Sequence, residues 1–125
     1  MIVLTLEQLL EIHALVIEAT GGSAGLRDLG RLEAAIATQT QNVFGEELYT
    51  DIVNKAAAVI RGIIGDRPFV DGNERTAMLA GLTFLNVNDT IFIAKPGEIA
   101  DFAVEIATMQ IDVPQISSWL QDHRS

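Results

Sequence analysis

Apolar residues recur at spacings of three and four along most of the chain, which is the spacing of one face of an α-helix. A first helix is predicted after Thr5, because Thr5 and Gln8 fit a capping box and apolar residues then repeat on one face. Residues 49–64 and 74–87 are apolar over more than one face, which is typical of helices buried at the centre of a domain. We therefore expect two central helices joined by the polar stretch between them.

Three shorter amphipathic helices complete the prediction. The first follows Asp28, which can cap it, and the other two begin at Pro96 and Pro114, because proline suits the first turn of a helix. Residues 90–94 lie between helices and can form one short extended segment. The sequence predicts an all-α protein, a compact helical bundle with a single domain over residues 1–125.

Composition excludes several classes of protein. The hydrophobic fraction of 49% argues against disorder, and the absence of cysteine excludes disulfides, thiolate nucleophiles and cysteine-based zinc sites. No apolar run approaches the length of about 18 residues that spans a bilayer, and the N-terminus lacks a basic signal region, so we expect a cytoplasmic protein that does not enter a membrane. A formal charge of −9 disfavours direct binding to nucleic acid.

Charge, proline, glycine and asparagine concentrate in residues 66–77, between the two central helices. This pattern predicts a loop that turns into a helix N-terminus, with Asn73 or Asp71 as the capping side chain. Gly72 would let the backbone approach a ligand closely. An acidic residue, a glycine, exposed amides and Arg75 within five positions predict a site for a phosphate and its magnesium ion.

Two stretches resemble the Fic/Doc family. The family signature His-Pro-Phe-x-Asp-Gly-Asn-x-Arg is matched over residues 67–75 at every fixed position except the first, where this chain has Arg67. Residues 25–35 resemble a Gly-x-Arg-Asp-x-Gly-x-Leu-Glu-x-Ala run of the Doc branch. Met78 also favours that branch, since adenylylating members usually carry arginine at its place. The resemblance covers about residues 7–93 and implies the helical Doc fold, with Phe69 buried as the anchor of the loop.

The resemblance implies transfer of a phosphoryl or adenylyl group from ATP, with Mg²⁺, to a hydroxyl of a target protein. The Doc toxin phosphorylates a threonine of elongation factor Tu, and an antitoxin, Phd, neutralises it. By this resemblance we expect a Phd-like antitoxin as partner, with an amphipathic segment of it in a groove lined by the apolar helices, and elongation factor Tu as a possible target.

The same resemblance assigns roles to the residues that open the second central helix. Asp71 would hold the Mg²⁺ ion on the phosphates. The backbone amides of Gly72, Asn73 and Glu74 would bind phosphate oxygens, and Arg75 would stabilise the transferred charge.

Arg67 replaces the family's catalytic histidine. A guanidinium stays protonated and has no lone pair to accept a proton, so Arg67 cannot be a general base. Losing a positioned base typically costs on the order of 100- to 10,000-fold in rate. Three explanations stay open: a natural homologue kept for binding, an inactivated copy of a toxin, or a different base, with Asp66 the nearest in sequence.

Glu74 is a second departure, because the matching position carries glycine in adenylylating members and lysine in the Doc branch. We expect its carboxylate to point to solvent, since facing the site it would weaken nucleotide binding. Two functions follow: a Doc-type toxin that has lost its catalytic base, or a non-catalytic scaffold that binds nucleotide or a protein partner.

Four other residues have side chains that could take part in catalysis or ligand binding, but they are assigned structural roles. His13 is expected to pack, and His123 to be solvated in the polar tail. Arg27 is expected to fix the loop at residues 25–35, and Lys55 to lie on an exposed helix edge.

Overall fold

Six α-helices form the protein, and the computed structural model describes all residues from 1 to 125. In chain order the helices are α1 (Leu6–Thr20), α2 (Leu29–Ala37), α3 (Ile52–Asp66), α4 (Asn73–Val87), α5 (Glu98–Met109) and α6 (Val113–Asp122). A single 3₁₀ turn (Thr38–Thr40) follows α2, and strands β1 (Asn42–Val43) and β2 (Glu46–Glu47) then pair antiparallel. The predicted all-α class is confirmed, but the hairpin was not predicted.

Helices α3 and α4 lie at the centre, as predicted. Helix α3 contacts α2, α4, α5 and α6, while α4 also contacts α1 and α5. One hydrophobic cluster draws residues from all six helices. Gly81 lets the two central helices approach closely, because a Cβ atom there would lie only 2.4 Å from Cδ1 of the buried Ile60. The loop with the predicted site connects the C-terminal end of α3 to the N-terminal end of α4.

Local capping signals account for most of the helix starts. Thr5 and Gln8 form the predicted capping box of α1, and the carboxylate of Asp28 caps α2. Helix α6 has proline in its first turn, as predicted. The prediction that Pro96 lies in the first turn of α5 is wrong, because the residues before Glu98 form a turn instead.

The extended segment predicted near residues 90–94 pairs with the C-terminus. The backbone N–H of Ile93 donates to the carbonyl of His123 over 2.8 Å, and that of Ser125 donates to the carbonyl of Ile91 over 3.0 Å. Only one bridge, between Phe92 and Arg124, has strand character.

His123 is not solvated, so that prediction is wrong. Its Nε2 lies 2.7 Å from Oε2 of Glu98, its Nδ1 lies 2.7 Å from the carbonyl oxygen of Trp119, and its ring packs beside Trp119 and Phe92. The hydrogen bond with Glu98 raises the pKa of His123 and lowers the pKa of Glu98. The C-terminus is thereby joined to the start of α5.

Lys55 is not on an exposed edge, and that prediction is also wrong. Only 2% of its surface is exposed, and its Nζ donates to the carbonyl of Gln39 over 2.7 Å and to Oε1 of Glu47 over 3.2 Å. The long aliphatic stem fits an apolar environment while the ammonium finds partners beyond it. Lys55 thus ties the 3₁₀ turn and strand β2 to α3. None of the six helices combines the length and the apolar character that crossing a membrane requires.

Candidate functional site

The loop of residues 67–72, called the signature loop below, joins α3 to α4. Arg67 ends α3 in a left-handed conformation with φ 49°, and Gly72 precedes α4 with φ 77°. The prediction that Asn73 or Asp71 caps α4 is wrong, because no side chain caps this helix. Its first backbone N–H groups therefore point out of the helix end without a capping acceptor.

Asn73 acts inside the loop instead. Its side-chain oxygen accepts a hydrogen bond from the N–H of Phe69, and its side-chain nitrogen donates to the carbonyl of Phe69, both over 2.9 Å. The ring of Phe69 is buried and stacks on His13, with ring centres 3.8 Å apart and planes 6° from parallel. Nε2 of His13 lies 2.9 Å from the carbonyl oxygen of Asp71, and a carbonyl can only accept, so the imidazole donates. His13 therefore supports the loop at two points.

The second stretch of family resemblance packs against the first. The N–H groups of Arg27 and Asp28 both donate to the carbonyl of Pro68, over 2.7 and 3.0 Å. The guanidinium of Arg27 donates to the carbonyls of Asp66 and Arg67 at the end of α3. Arg27 thus fixes the loop, as expected, and its side chain caps the carbonyl end of α3.

The glycine-rich turn after α1 lies beside Asp71. The N–H of Ser23 donates to Oδ2 of Asp71 over 2.8 Å, and a Cβ on Gly22 would lie 3.2 Å from Cβ of Asp71. This turn therefore forms one wall of the site, which no local sequence signal shows.

A cavity of about 550 Å³ opens at the N-terminus of α4. Four of the predicted site residues line it, namely Asp71, Gly72, Glu74 and Arg75. The turn at residues 20–22 and α5 form the other walls. The Asn73 side chain is fully buried within the loop, so only its backbone could serve a ligand.

Arg67 does not line this cavity, but its side chain contacts Glu74, which does. Nη1 of Arg67 is 2.5 Å from Oε1 of Glu74, and the side chains are 49% and 31% exposed. The Glu74 carboxylate, expected to point to solvent, is partly exposed but bonds to the Arg67 guanidinium. The arginine that replaces the signature histidine and the glutamate that differs from the residue usual in both branches therefore form one ion pair.

The donor set at the cavity fits Mg²⁺ shared with phosphates. No cluster of three or more acidic, histidine or cysteine side chains exists that could hold a metal ion unaided. Mg²⁺ usually binds through one or two carboxylates, with waters and substrate phosphates completing its octahedron. Oδ2 of Asp71 accepts from the N–H of Ser23, which leaves Oδ1 of this carboxylate free to bind a metal ion.

An apolar groove of about 620 Å³ adjoins the site. Helices α1, α4 and α5 line it, with Leu15, Leu79 and Leu82 among the apolar side chains. Arg75 lies at the junction, since it borders both the groove and the cavity. Its guanidinium is exposed and takes part in no ion pair of the structure.

Comparisons with known proteins identify the family of this chain. The model of the Fic/DOC family matches residues 3–85. The Toxin Doc of Mycolicibacterium smegmatis is 36% identical over 104 residues, which cover 82% of this chain and 80% of that protein. The Protein kinase doc of Escherichia phage P1 is 34% identical over 115 residues, which cover 92% of this chain and 90% of that protein. Both coverages and the family match lead to one conclusion: this chain belongs to the Fic/Doc family, as a Doc-type member.

Proposed function

We propose that this protein is a Doc-type toxin that binds ATP with Mg²⁺ and transfers a phosphoryl group to a hydroxyl of a target protein such as elongation factor Tu. The observation that carries the proposal is the uncapped N-terminus of α4, with Asp71 and Arg75 bordering the same cavity. The replacement of histidine by Arg67 slows this transfer.

The protein's own groups would act mainly on the charge of the phosphates. The free N–H groups of Gly72, Asn73 and Glu74, together with the helix dipole, would bind phosphate oxygens. The guanidinium of Arg75 would stabilise the charge on the transferred group. Bound to Asp71, Mg²⁺ would supply charge neutralisation between the phosphates.

Phosphoryl rather than adenylyl transfer is favoured by Met78. The members of the family that transfer adenylyl groups usually carry a second arginine at this position. In this chain Met78 is 1% exposed and belongs to the hydrophobic core. No second guanidinium from this position reaches the cavity.

A non-catalytic binding scaffold is the second candidate function. The observation that favours it is the Arg67–Glu74 pair, because Arg67 has no acceptor lone pair and Glu74 adds negative charge beside the phosphate amides. Such a protein would hold nucleotide or a partner and transfer nothing.

The apolar groove suits an amphipathic helix of a Phd-like antitoxin. Its lining is mostly aliphatic, and the unpaired Arg75 at its end favours an occupant with an acidic residue facing that position. Changing the exposed Leu79 to glutamate should abolish antitoxin binding and leave ATP binding unchanged.

The test of the proposed reaction uses ATP labelled at the α or the γ phosphate, with Mg²⁺ and elongation factor Tu. The wild type, Arg67→His and Arg75→Ala proteins are compared for label on the target. We expect γ label only, faster transfer by Arg67→His, and none by Arg75→Ala. Transfer of α label would overturn the phosphoryl assignment, and no transfer by any variant would leave the scaffold function.

A further inference from the structure

We propose that Glu74 is the general base of this site, in the place that histidine holds in the family. The inference rests on the proposed phosphoryl transfer. It concerns which group of this chain removes the proton from the attacking hydroxyl.

Elimination within the structure leaves few proton acceptors. The Nε2 of His13 is occupied by the Asp71 carbonyl beneath the loop, and His123 is bonded to Glu98 and the Trp119 carbonyl at the C-terminal segment. Asp66, the nearest carboxylate in sequence, borders two other cavities and none that Asp71 or Arg75 borders. The histidines and Asp66 therefore do not reach the phosphate site.

Two carboxylates remain on the cavity wall, Asp71 and Glu74. One oxygen of Asp71 accepts from the Ser23 N–H, and the other is the ligand available to Mg²⁺. Glu74 keeps one oxygen without a partner, since its single side-chain hydrogen bond joins Oε1 to the guanidinium of Arg67 and leaves Oε2 unbonded. A carboxylate is a competent base for this chemistry, because protein kinases use an aspartate to accept the proton of the substrate hydroxyl.

The position of Glu74 is set by Arg67. The Oε1 of Glu74 lies 2.5 Å from Nη1 of the residue that stands where the family has its histidine, so the carboxylate is held next to the side chain at that position. Arg67 thus acts as a positioning residue: it orients the Glu74 carboxylate from outside the cavity. Glu74 is three residues after Asp71 and on the first turn of α4, beside the amides that would bind phosphate.

In the proposed step, the hydroxyl oxygen of the target forms a bond to the γ phosphorus of ATP. The bond from that phosphorus to the bridging oxygen breaks, and ADP leaves with its electron pair. The hydroxyl proton moves to a carboxylate oxygen of Glu74, which later releases it to water.

The test compares the wild type with Glu74→Gln, Arg67→His and the double variant in two assays. One measures the rate of γ-label transfer to elongation factor Tu, and the other measures the dissociation constant of a non-hydrolysable ATP analogue. Glutamine keeps the size of glutamate and can still accept from Arg67, so Glu74→Gln removes the charge with little change in packing.

We expect Glu74→Gln to lower the transfer rate by about 100-fold or more. Its affinity for the analogue should stay equal or increase, since a negative charge near the phosphates is lost. The double variant should regain transfer, because the imidazole that Arg67→His introduces would replace the lost base.

Other outcomes overturn the inference in distinguishable ways. If Glu74→Gln transfers the γ label as fast as the wild type, or faster, Glu74 is not the general base and its charge only weakens nucleotide binding. If Arg67→His transfers and the wild type does not, the reaction is as proposed but Glu74 is not its base. If no variant transfers label, the proposed function fails as well.

Discussion

Replacing His13 tests how firmly the signature loop is held. Two matched variants separate its two contacts. Phenylalanine keeps a ring to stack on Phe69 but cannot donate to the Asp71 carbonyl, whereas glutamine keeps a donor and loses the ring.

The structure gives the expected magnitudes. Loss of the 2.9 Å hydrogen bond to the Asp71 carbonyl should cost His13→Phe about 1 kcal/mol, the typical net value of such a bond. Loss of the stacked pair should cost His13→Gln about 1 kcal/mol beyond the lost apolar area. At about 2.1 cal/mol/K per residue, a loss of 1 kcal/mol lowers the melting temperature of a chain of 125 residues by about 4 °C.

The assay is equilibrium unfolding in urea, followed by circular dichroism, together with amide hydrogen exchange. Both variants should unfold at lower urea than the wild type, and the amides of residues 69–72 should exchange faster in His13→Phe. A His13→Phe protein with wild-type stability and wild-type exchange in the loop would refute the role assigned to the His13 hydrogen bond.

Three further predictions concern the surrounding fold. Gly81→Ala should destabilise the protein by about 1–3 kcal/mol despite better helix propensity, because its Cβ would overlap Ile60; a urea midpoint equal to that of the wild type would contradict this packing. The contribution of the His123–Glu98 pair to the stability of the protein should be greatest between pH 4.5 and 6.5. It should fall as pH rises through the raised pKa of His123 and as pH falls through the lowered pKa of Glu98. Thermal melts of His123→Gln should lose the dependence at high pH and keep a weaker one at low pH, because the Lys95 N–H also lowers the pKa of Glu98. Lys55→Met should cost about 1–3 kcal/mol in urea unfolding, since it leaves a buried carbonyl without its donor, whereas Glu47→Gln on the exposed side of the same pair should cost little.

Much of the helical fold could be predicted from the sequence because its signals are local. The Thr5 capping box, the Asp28 cap and the apolar spacing of the two central helices depend on residues within one or two turns of each other. The family resemblance located the signature loop for the same reason, since its motif is contiguous. The prediction for Pro96 was wrong because turns and helix starts share the same local residue preferences.

The partners of polar side chains could not be predicted in this way. The bond from His13 to the Asp71 carbonyl joins residues 58 positions apart, and the bond from Arg27 to the Arg67 carbonyl joins residues 40 apart. Lys55 and His123 were assigned to the surface because the sequence pattern cannot show which carbonyl or carboxylate another segment brings near them.

The helical class, the position of the signature loop and the loss of the family's histidine at Arg67 can all be recognised from the order of the amino acids. The role of Asn73 in supporting the loop rather than capping α4, and the bond between Glu74 and Arg67, emerge from the folded protein. This difference arises because helices follow from short-range hydrogen bonds and apolar spacing. The partner of a charged or polar side chain depends instead on how the helices pack, and that packing arises from the whole chain.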